Sequence, residues 1–125
     1  MNPLKRLSDY GQSVWLDYIR RSLITSGELQ RRVEEDGLAG VTSNPAIFEK
    51  AITGRTDYTD LLESLQQQKE LSPMELYERL AIRDIQDAAD VLRSVYEKSR
   101  RRDGYVSLEV SPYLAHDTQG TIKEA

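Results

Sequence analysis

Asp17, Asn44 and Glu109 each lie at or near the end of a short apolar segment, and their side chains suit acid/base chemistry. A carboxylate can take up and return a proton near working pH, because burial and neighbouring charges tune its pKa. An amide both donates and accepts hydrogen bonds without adding charge. These three residues are therefore the candidates for chemistry, and the elements around them decide whether they meet.

The apolar segments are residues 13–17, 38–43 and 105–110, and each is predicted to be a β-strand. Between the first two, a helix is predicted to start at Ser26, a suitable cap, and to stop at Gly37, which suits a left-handed helix end. The segment between the two strands, which includes this helix, is long enough for the crossover that parallel strands require.

A second helical region separates the second and third predicted strands. Ser72, Pro73 and Glu75 form a helix-start signature: a capping hydroxyl, a proline in the first turn and a glutamate three residues after the cap. Apolar residues then recur at spacings of three or four and predict a buried helix face. Its members are Met74, Leu76, Tyr77, Leu80, Ile82, Ile85, Ala89, Leu92 and Val95. The charged residues predicted to be solvated are Arg83, Asp84, Asp87, Asp90, Arg93 and Glu97.

This order of strands and helices is typical of an α/β protein with a parallel sheet. The carboxyl ends of parallel strands meet at one edge, so Asp17, residues 42–44 and Glu109 are expected at a common rim. In parallel barrels that face carries the chemistry.

A polar segment starting at Asp117 or Thr118 is predicted to begin one more helix. A closed (β/α)8 TIM barrel typically needs roughly 250 residues. We therefore expect residues 1–125 to be the opening, incomplete portion of such a barrel. It would hold about three β/α units and no second domain.

The composition excludes several classes of protein and of binding partner. The chain has 125 residues, with 17 Lys and Arg against 21 Asp and Glu, and no cysteine. The lack of cysteine excludes a disulfide scaffold and a thiol nucleophile, and it fits a reducing cytoplasm. No segment approaches the roughly 20 apolar residues that cross a bilayer, and no signal peptide is evident. The net acidity speaks against nucleic acid, and the basic residues 98–102 are predicted to end a helix, where cations complement the dipole. A cytoplasmic protein is expected.

Residues 40–50 read Gly-Val-Thr-Ser-Asn-Pro-Ala-Ile-Phe-Glu-Lys, the most distinctive stretch of the chain. Asn-Pro by itself favours a turn. Together with Asp17 upstream and residues 106–118 downstream, the stretch resembles the N-terminal part of transaldolase. That family has a Thr-Ser/Thr-Asn-Pro signature at its second strand and a Ser-x-Glu-Val segment at its third. The resemblance runs through essentially the whole chain, including residues 2–4.

The resemblance implies a class I Schiff-base transferase of the pentose phosphate pathway. Such an enzyme moves a dihydroxyacetone unit from a ketose phosphate to an aldose phosphate, and neither a metal nor an organic cofactor takes part. A lysine amine attacks the ketose carbonyl, and the resulting iminium accepts electrons when the carbon–carbon bond breaks.

By the same resemblance, Asp17 is the acid/base, Asn44 orients the lysine and the substrate hydroxyls, and Glu109 activates the water of Schiff-base formation and hydrolysis. Thr42 and Ser43 receive no role. The alternatives stay open at this point: Asp17 as a helix N-cap, Asn44 as a turn residue, and Glu109 on a solvated edge strand. The only histidine is predicted to be a loop or capping group, because no clustered metal ligands accompany it.

The family's lysine belongs to a fourth strand, which is expected beyond Ala125. The five lysines lie at a terminus or on predicted helices and their ends, namely Lys5, Lys50, Lys69, Lys98 and Lys123. The chain alone is therefore expected to be inactive. The alternative function is a non-catalytic partial barrel that self-associates, swaps domains or pairs with a complementary chain, because three strands leave open edges and an uncovered face.

Overall fold

The computed structural model describes residues 2–46, 58–68 and 71–125. Within these residues one three-stranded sheet is formed, and both pairs of neighbouring strands run parallel. In spatial order the strands are β1 (Val14–Asp17), β2 (Leu38–Thr42) and β3 (Tyr105–Ser107). The parallel α/β arrangement predicted from the order of elements is confirmed.

Helices alternate with these strands. They are α1 (Pro3–Arg6), α2 (Arg21–Thr25), α3 (Glu28–Asp36), α4 (Thr59–Gln68), α5 (Pro73–Lys98) and α6 (Thr118–Glu124). Short 3-10 turns lie at Leu7–Tyr10 and Pro112–Leu114. Along the chain, α2 and α3 come between β1 and β2, while α4 and α5 come between β2 and β3, as parallel strands require.

The start of α5 is the one that its sequence signature predicts. The Ser72 hydroxyl accepts a hydrogen bond from the Glu75 N–H at 3.3 Å, and the Glu75 carboxylate accepts one from the Ser72 N–H at 2.8 Å. These reciprocal bonds form a capping box and satisfy two amides at the helix end.

The helix α3 starts slightly later than predicted. Its N-cap is Gly27, while the Ser26 hydroxyl accepts a 3.3 Å hydrogen bond from the Glu28 N–H. The helix ends as predicted at Gly37, whose φ of 73° lies in the left-handed region that glycine adopts without strain.

The two faces of the sheet differ in what they contact. Leu16, Val41 and Val106 pair across the three strands, share one face and belong to or pack against the buried core. Trp15 and Gly40 pair one position earlier and so belong to the opposite face. The Trp15 ring lies so close to Gly40 that a Cβ there would be 2.3 Å from Cε2.

The apolar face predicted for α5 is correct only in part. Met74 and Ile82 are 56% and 45% exposed, whereas Asp84, predicted to be solvated, is fully buried. The buried positions of α5 include a run spaced four apart, formed by Leu80, Asp84, Ala88 and Leu92. Such a run faces one side of a helix, so the buried side includes a carboxylate that sequence periodicity assigns to solvent.

Candidate functional site

The last residues of all three strands lie side by side at one edge of the sheet. Asp17 pairs with Thr42, and Thr42 pairs with Ser107, in a single row across β1, β2 and β3. Because the strands are parallel, this row marks their common carboxyl end. Residues paired in this way share one face, and it is the face that also carries Trp15 and Gly40. We call this row and the residues just beyond it the carboxyl rim.

Asp17 is exposed and accepts a hydrogen bond at Oδ1 from the Thr42 hydroxyl, at 2.7 Å. It does not cap the following helix, because the N-cap of α2 is Arg20 and no side-chain bond caps that helix. The structure thus favours a solvent-facing carboxylate held by a neighbouring strand over the alternative of a helix cap.

Thr42, which like Ser43 receives no role from the sequence, is the hydrogen-bond partner of Asp17. The sequence does carry a signal for this contact. Asp17 and Thr42 each lie at the end of a predicted strand, and the carboxyl ends of neighbouring parallel strands lie side by side. Its neighbour Ser43 is buried and bonds the Ser107 carbonyl twice, through Oγ at 2.7 Å and the backbone N–H at 3.3 Å. Ser43 thereby joins the ends of β2 and β3.

Asn44 lies two residues beyond β2, at the carboxyl rim, and is half-buried. Its Oδ1 accepts a 3.0 Å hydrogen bond from the Ala46 N–H, the Asx turn that the alternative interpretation expects. This bond uses the oxygen of the Asn44 amide as an acceptor, whereas the nitrogen of the same amide is a separate donor. A turn and an orienting role are therefore compatible. The rest of the signature, residues 47–50, lies outside the described residues.

Glu109 lies two residues beyond β3 and is exposed. The prediction of a strand over residues 105–110 is wrong at its end, because β3 stops at Ser107, where its register with β2 also stops. Apolar alternation continues through Val110, but backbone pairing does not. Glu109 follows the end of β3 at the carboxyl rim, while the catalytic roles of Asp17, Asn44 and Glu109 stay predictions.

A buried charge cluster joins the segments that follow β1 and β2 to the middle of α5. Arg21 Nη1 donates to Asp84 Oδ1 at 2.9 Å and to Asp87 Oδ2 at 2.7 Å. The Tyr58 hydroxyl donates to Asp84 Oδ2 at 2.5 Å and accepts the Arg21 backbone N–H at 2.9 Å. We call these four residues the Asp84 cluster.

Burial raises the pKa of the Asp84 carboxyl above its ordinary value, and the hydrogen bonds from Tyr58 and Arg21 offset only part of this effect. Burial also acts to lower the pKa of Arg21, but its bonds to Asp84 and Asp87 outweigh that effect and raise the pKa. Arg21 is therefore a permanent positive charge facing two carboxyl groups.

The lysines with described positions lie on helices. Lys5 is on α1 and donates to the Glu34 carbonyl, Lys98 ends α5, and Lys123 is on α6. Lys50 and Lys69 lie outside the described residues.

Among the residues that the structure does describe, no group of three or more His, Cys, Asp or Glu side chains could hold a metal ion. His116 is exposed in a turn. Within the same described ranges, no helix has the length and apolarity needed to span a bilayer.

Three parallel strands with helices between them, and polar residues at the carboxyl rim, are the arrangement of an α/β protein. A family model described as transaldolase/fructose-6-phosphate aldolase matches residues 14–125. This chain belongs to that family, and its three parallel strands and helices form part of a TIM barrel.

Individual relatives agree with this assignment. The chain is similar to transaldolase 2 of Nostoc punctiforme, with 51% identity over 99% of this chain and 32% of the relative. It is 48% identical to the transaldolase of Thiobacillus denitrificans, over 100% of this chain and 34% of the relative. The transaldolase of a Neisseria meningitidis serogroup C strain is 46% identical, over 100% of this chain and 35% of the relative. The chain thus spans about a third of the length of these curated relatives.

Proposed function

We propose that this chain supplies the acid/base part of a cytoplasmic transaldolase. The reaction transfers a dihydroxyacetone unit from a ketose phosphate to an aldose phosphate in the pentose phosphate pathway, through a Schiff base on a lysine. The observation that carries the proposal is the carboxyl rim, where Asp17 ends β1 and its carboxylate accepts the Thr42 hydroxyl bond at 2.7 Å. Family membership supports the same chemistry.

In this proposal Asp17 takes the proton from a hydroxyl of the donor sugar while the adjacent carbon–carbon bond breaks. The electron pair of that bond moves into the iminium, and the aldose product leaves as an aldehyde. The Thr42 hydroxyl bond holds one carboxylate oxygen in place. Such a bond keeps the other oxygen pointed at a fixed location, which a general base requires.

Asn44 and Glu109 take the remaining roles. Asn44 lies two residues beyond β2 and its amide carries no charge, which suits the neighbourhood of a cationic iminium. Glu109 is exposed beyond β3 and is proposed to activate the water that forms and hydrolyses the Schiff base. Both residues come from the loops that follow barrel strands, where active sites of this fold are built.

The lysine is proposed to come from a fourth strand, as the resemblance to transaldolase implies. The lysines that the structure describes, Lys5, Lys98 and Lys123, lie on helices. A polypeptide of residues 1–125 by itself is then expected to have no turnover. With fructose 6-phosphate and borohydride it should gain no sugar adduct by mass spectrometry. A stable adduct on this chain would refute that part of the proposal.

The activity itself is tested with a chimera in which residues 1–125 replace the matching segment of the Nostoc punctiforme relative. We expect turnover of fructose 6-phosphate with erythrose 4-phosphate, and a roughly hundredfold or greater loss of kcat in Asp17→Asn, the scale of general acid/base catalysis. The matched control is Asp60→Asn, an exposed carboxylate on α4. A folded chimera without turnover, or an unchanged kcat in Asp17→Asn, would contradict the proposal.

A second candidate function, a self-associating partial barrel, is favoured by exposed aromatic rings around the sheet. Trp15 and Tyr105 are 40% and 45% exposed, and Leu108 just beyond β3 is 48% exposed. Burying such groups favours association. Light scattering on the 125-residue chain tests it: a stable dimer supports this candidate, and a monomer at all concentrations counts against it.

A further inference from the structure

The Asp84 cluster is a bonded group of polar side chains that the proposed chemistry does not use. Asp84 is fully buried on α5, and each of its carboxylate oxygens accepts a hydrogen bond from a different part of the chain. One bond comes from Arg21, the first residue of α2. The other comes from Tyr58, which directly precedes α4 and is also fully buried.

These two partners belong to the segments that leave the carboxyl rim. Arg21 follows Asp17 by four positions, and the intervening segment is anchored by Ile19, which is fully buried. Tyr58 lies on the segment that follows β2 and Asn44. The Tyr58 hydroxyl also accepts the Arg21 backbone N–H, so the two segments are bonded to each other as well as to Asp84.

We propose that Asp84 is a positioning residue for the candidate active site: through Arg21 and Tyr58 it fixes the segment behind Asp17 and so sets the direction of the Asp17 carboxylate. The inference rests on the proposed function in so far as Asp17 is the acid/base. Its first test, however, reads Asp17 directly and needs no activity.

The energetics favour positioning over stability as the purpose of the cluster. A buried ion pair adds little to the free energy of unfolding, because the cost of desolvating both charges offsets most of their attraction. Apolar residues in the same space often stabilise a fold equally well. Directional hydrogen bonds, in contrast, fix the relative position of the groups they join. The Asp84 cluster joins three separate segments through four such bonds, three of which fix Arg21.

The first test is carbon-13 NMR of the Asp17 carboxyl in the 125-residue chain. Asp84→Asn is expected to move or split the Asp17 resonance, while Asp90→Asn leaves it unchanged. Asp90 is the matched control because it lies on the same helix, forms an ion pair with Arg93 and is 70% exposed in its side chain. An Asp17 resonance unmoved in a folded Asp84→Asn chain would overturn the inference.

A second variant covers the case in which Asp84→Asn does not fold. Tyr58→Phe removes a single oxygen atom, the one that links the Arg21 backbone to Asp84. It is expected to move the Asp17 resonance in the same way. If this variant folds and the resonance stays where it was, the inference is wrong.

The second test uses kinetics of the chimera, in which Asp84→Asn should lower kcat about ten- to a hundredfold, the scale of a small misplacement of a catalytic group. The pH profile of kcat should also change shape, whereas a lower folded fraction would only scale it. An unchanged profile shape would count against the inference. A chimera that is inactive with all residues intact would refute the proposed function, while the NMR result would still decide the role of Asp84.

Discussion

The Thr42 hydroxyl donates a 2.7 Å hydrogen bond to Oδ1 of Asp17, although the two residues are 25 positions apart in the chain. The bond exists because β1 and β2 are parallel and their last residues are register partners. It turns two separate strand ends into one polar unit on the carboxyl rim.

Replacing Thr42 by valine keeps the shape of the side chain and removes this bond. A hydrogen bond to a charged group is worth about 1.5 to 3 kcal/mol, so kcat of the chimera should fall roughly ten- to a hundredfold if Asp17 must be held in place. Steady-state kinetics measure the effect. Thr118→Val, at the exposed start of α6, is the control and should leave kcat unchanged. Equal activity of both variants would show that Thr42 does not serve Asp17.

Gly40 is predicted to tolerate no Cβ while Trp15 is present. The added carbon would be 2.3 Å from Cε2 of the indole ring, so the ring or the strand must move. We expect Gly40→Ala to lower the free energy of unfolding by about 1 to 3 kcal/mol, as overpacking does. Urea denaturation measures this loss, and a double-mutant cycle with Trp15→Leu should recover much of it. The same loss in both backgrounds would exclude the ring as the cause.

Removing the Asp84 carboxylate should destabilise the fold far more than removing an exposed one. Asp84→Ala removes the carboxylate to which the buried Tyr58 hydroxyl donates and one of the two carboxylates that Arg21 bonds, which should cost about 1 to 3 kcal/mol. Asp90→Ala breaks only an exposed pair with Arg93 and should cost less than about 1 kcal/mol. Urea midpoints of the two variants give the comparison directly, and similar values would mean that the Asp84 cluster is not a buried pair in solution.

The raised pKa of Asp84 predicts a specific dependence of stability on pH. The folded chain holds the Asp84 proton more tightly than the unfolded chain, so this contribution to stability is complete below the ordinary value of 3.8 and is lost as pH rises through the raised folded pKa. The groups facing Asp84 are Arg21 of α2, Tyr58 before α4, and Asp87 on α5.

The measurement is the difference in free energy of unfolding between the unaltered chain and Asp84→Asn across acidic pH. This difference should fall as pH rises above 3.8, because the asparagine does not titrate. Asp90→Asn, which changes the same charge at an exposed position, is the control. A difference that rises with pH would mean that the bonds from Arg21 and Tyr58 outweigh the burial of Asp84.

The elements that the sequence predicts well are those specified by nearby residues. The capping box at Ser72 and the left-handed glycine at position 37 mark their helix ends without help from distant residues. The sequence predicts the end of β3 wrongly, because Leu108 and Val110 continue an apolar alternation while the pairing of β3 with β2 stops at Ser107.

Asp84 and Thr42 illustrate what sequence pattern cannot supply. A carboxylate among exposed charges on a helix is normally solvated, and Asp84 is buried because Arg21 and Tyr58 reach it from 63 and 26 positions away. Thr42 gains its partner only through strand register. The candidates Asp17, Asn44 and Glu109, by contrast, came from strand order and motif resemblance, which identify the edge of a sheet but not the bonds made there.

Trp15 is the only tryptophan of the chain, and it precedes Asp17 by two positions on the same face of the sheet. The residue is 40% exposed. Under the proposed function a sugar phosphate binds beside Asp17 on the face that carries this indole, so Trp15 fluorescence is expected to change when it binds. A titration that follows the emission maximum would measure occupancy of the rim without a label and without turnover.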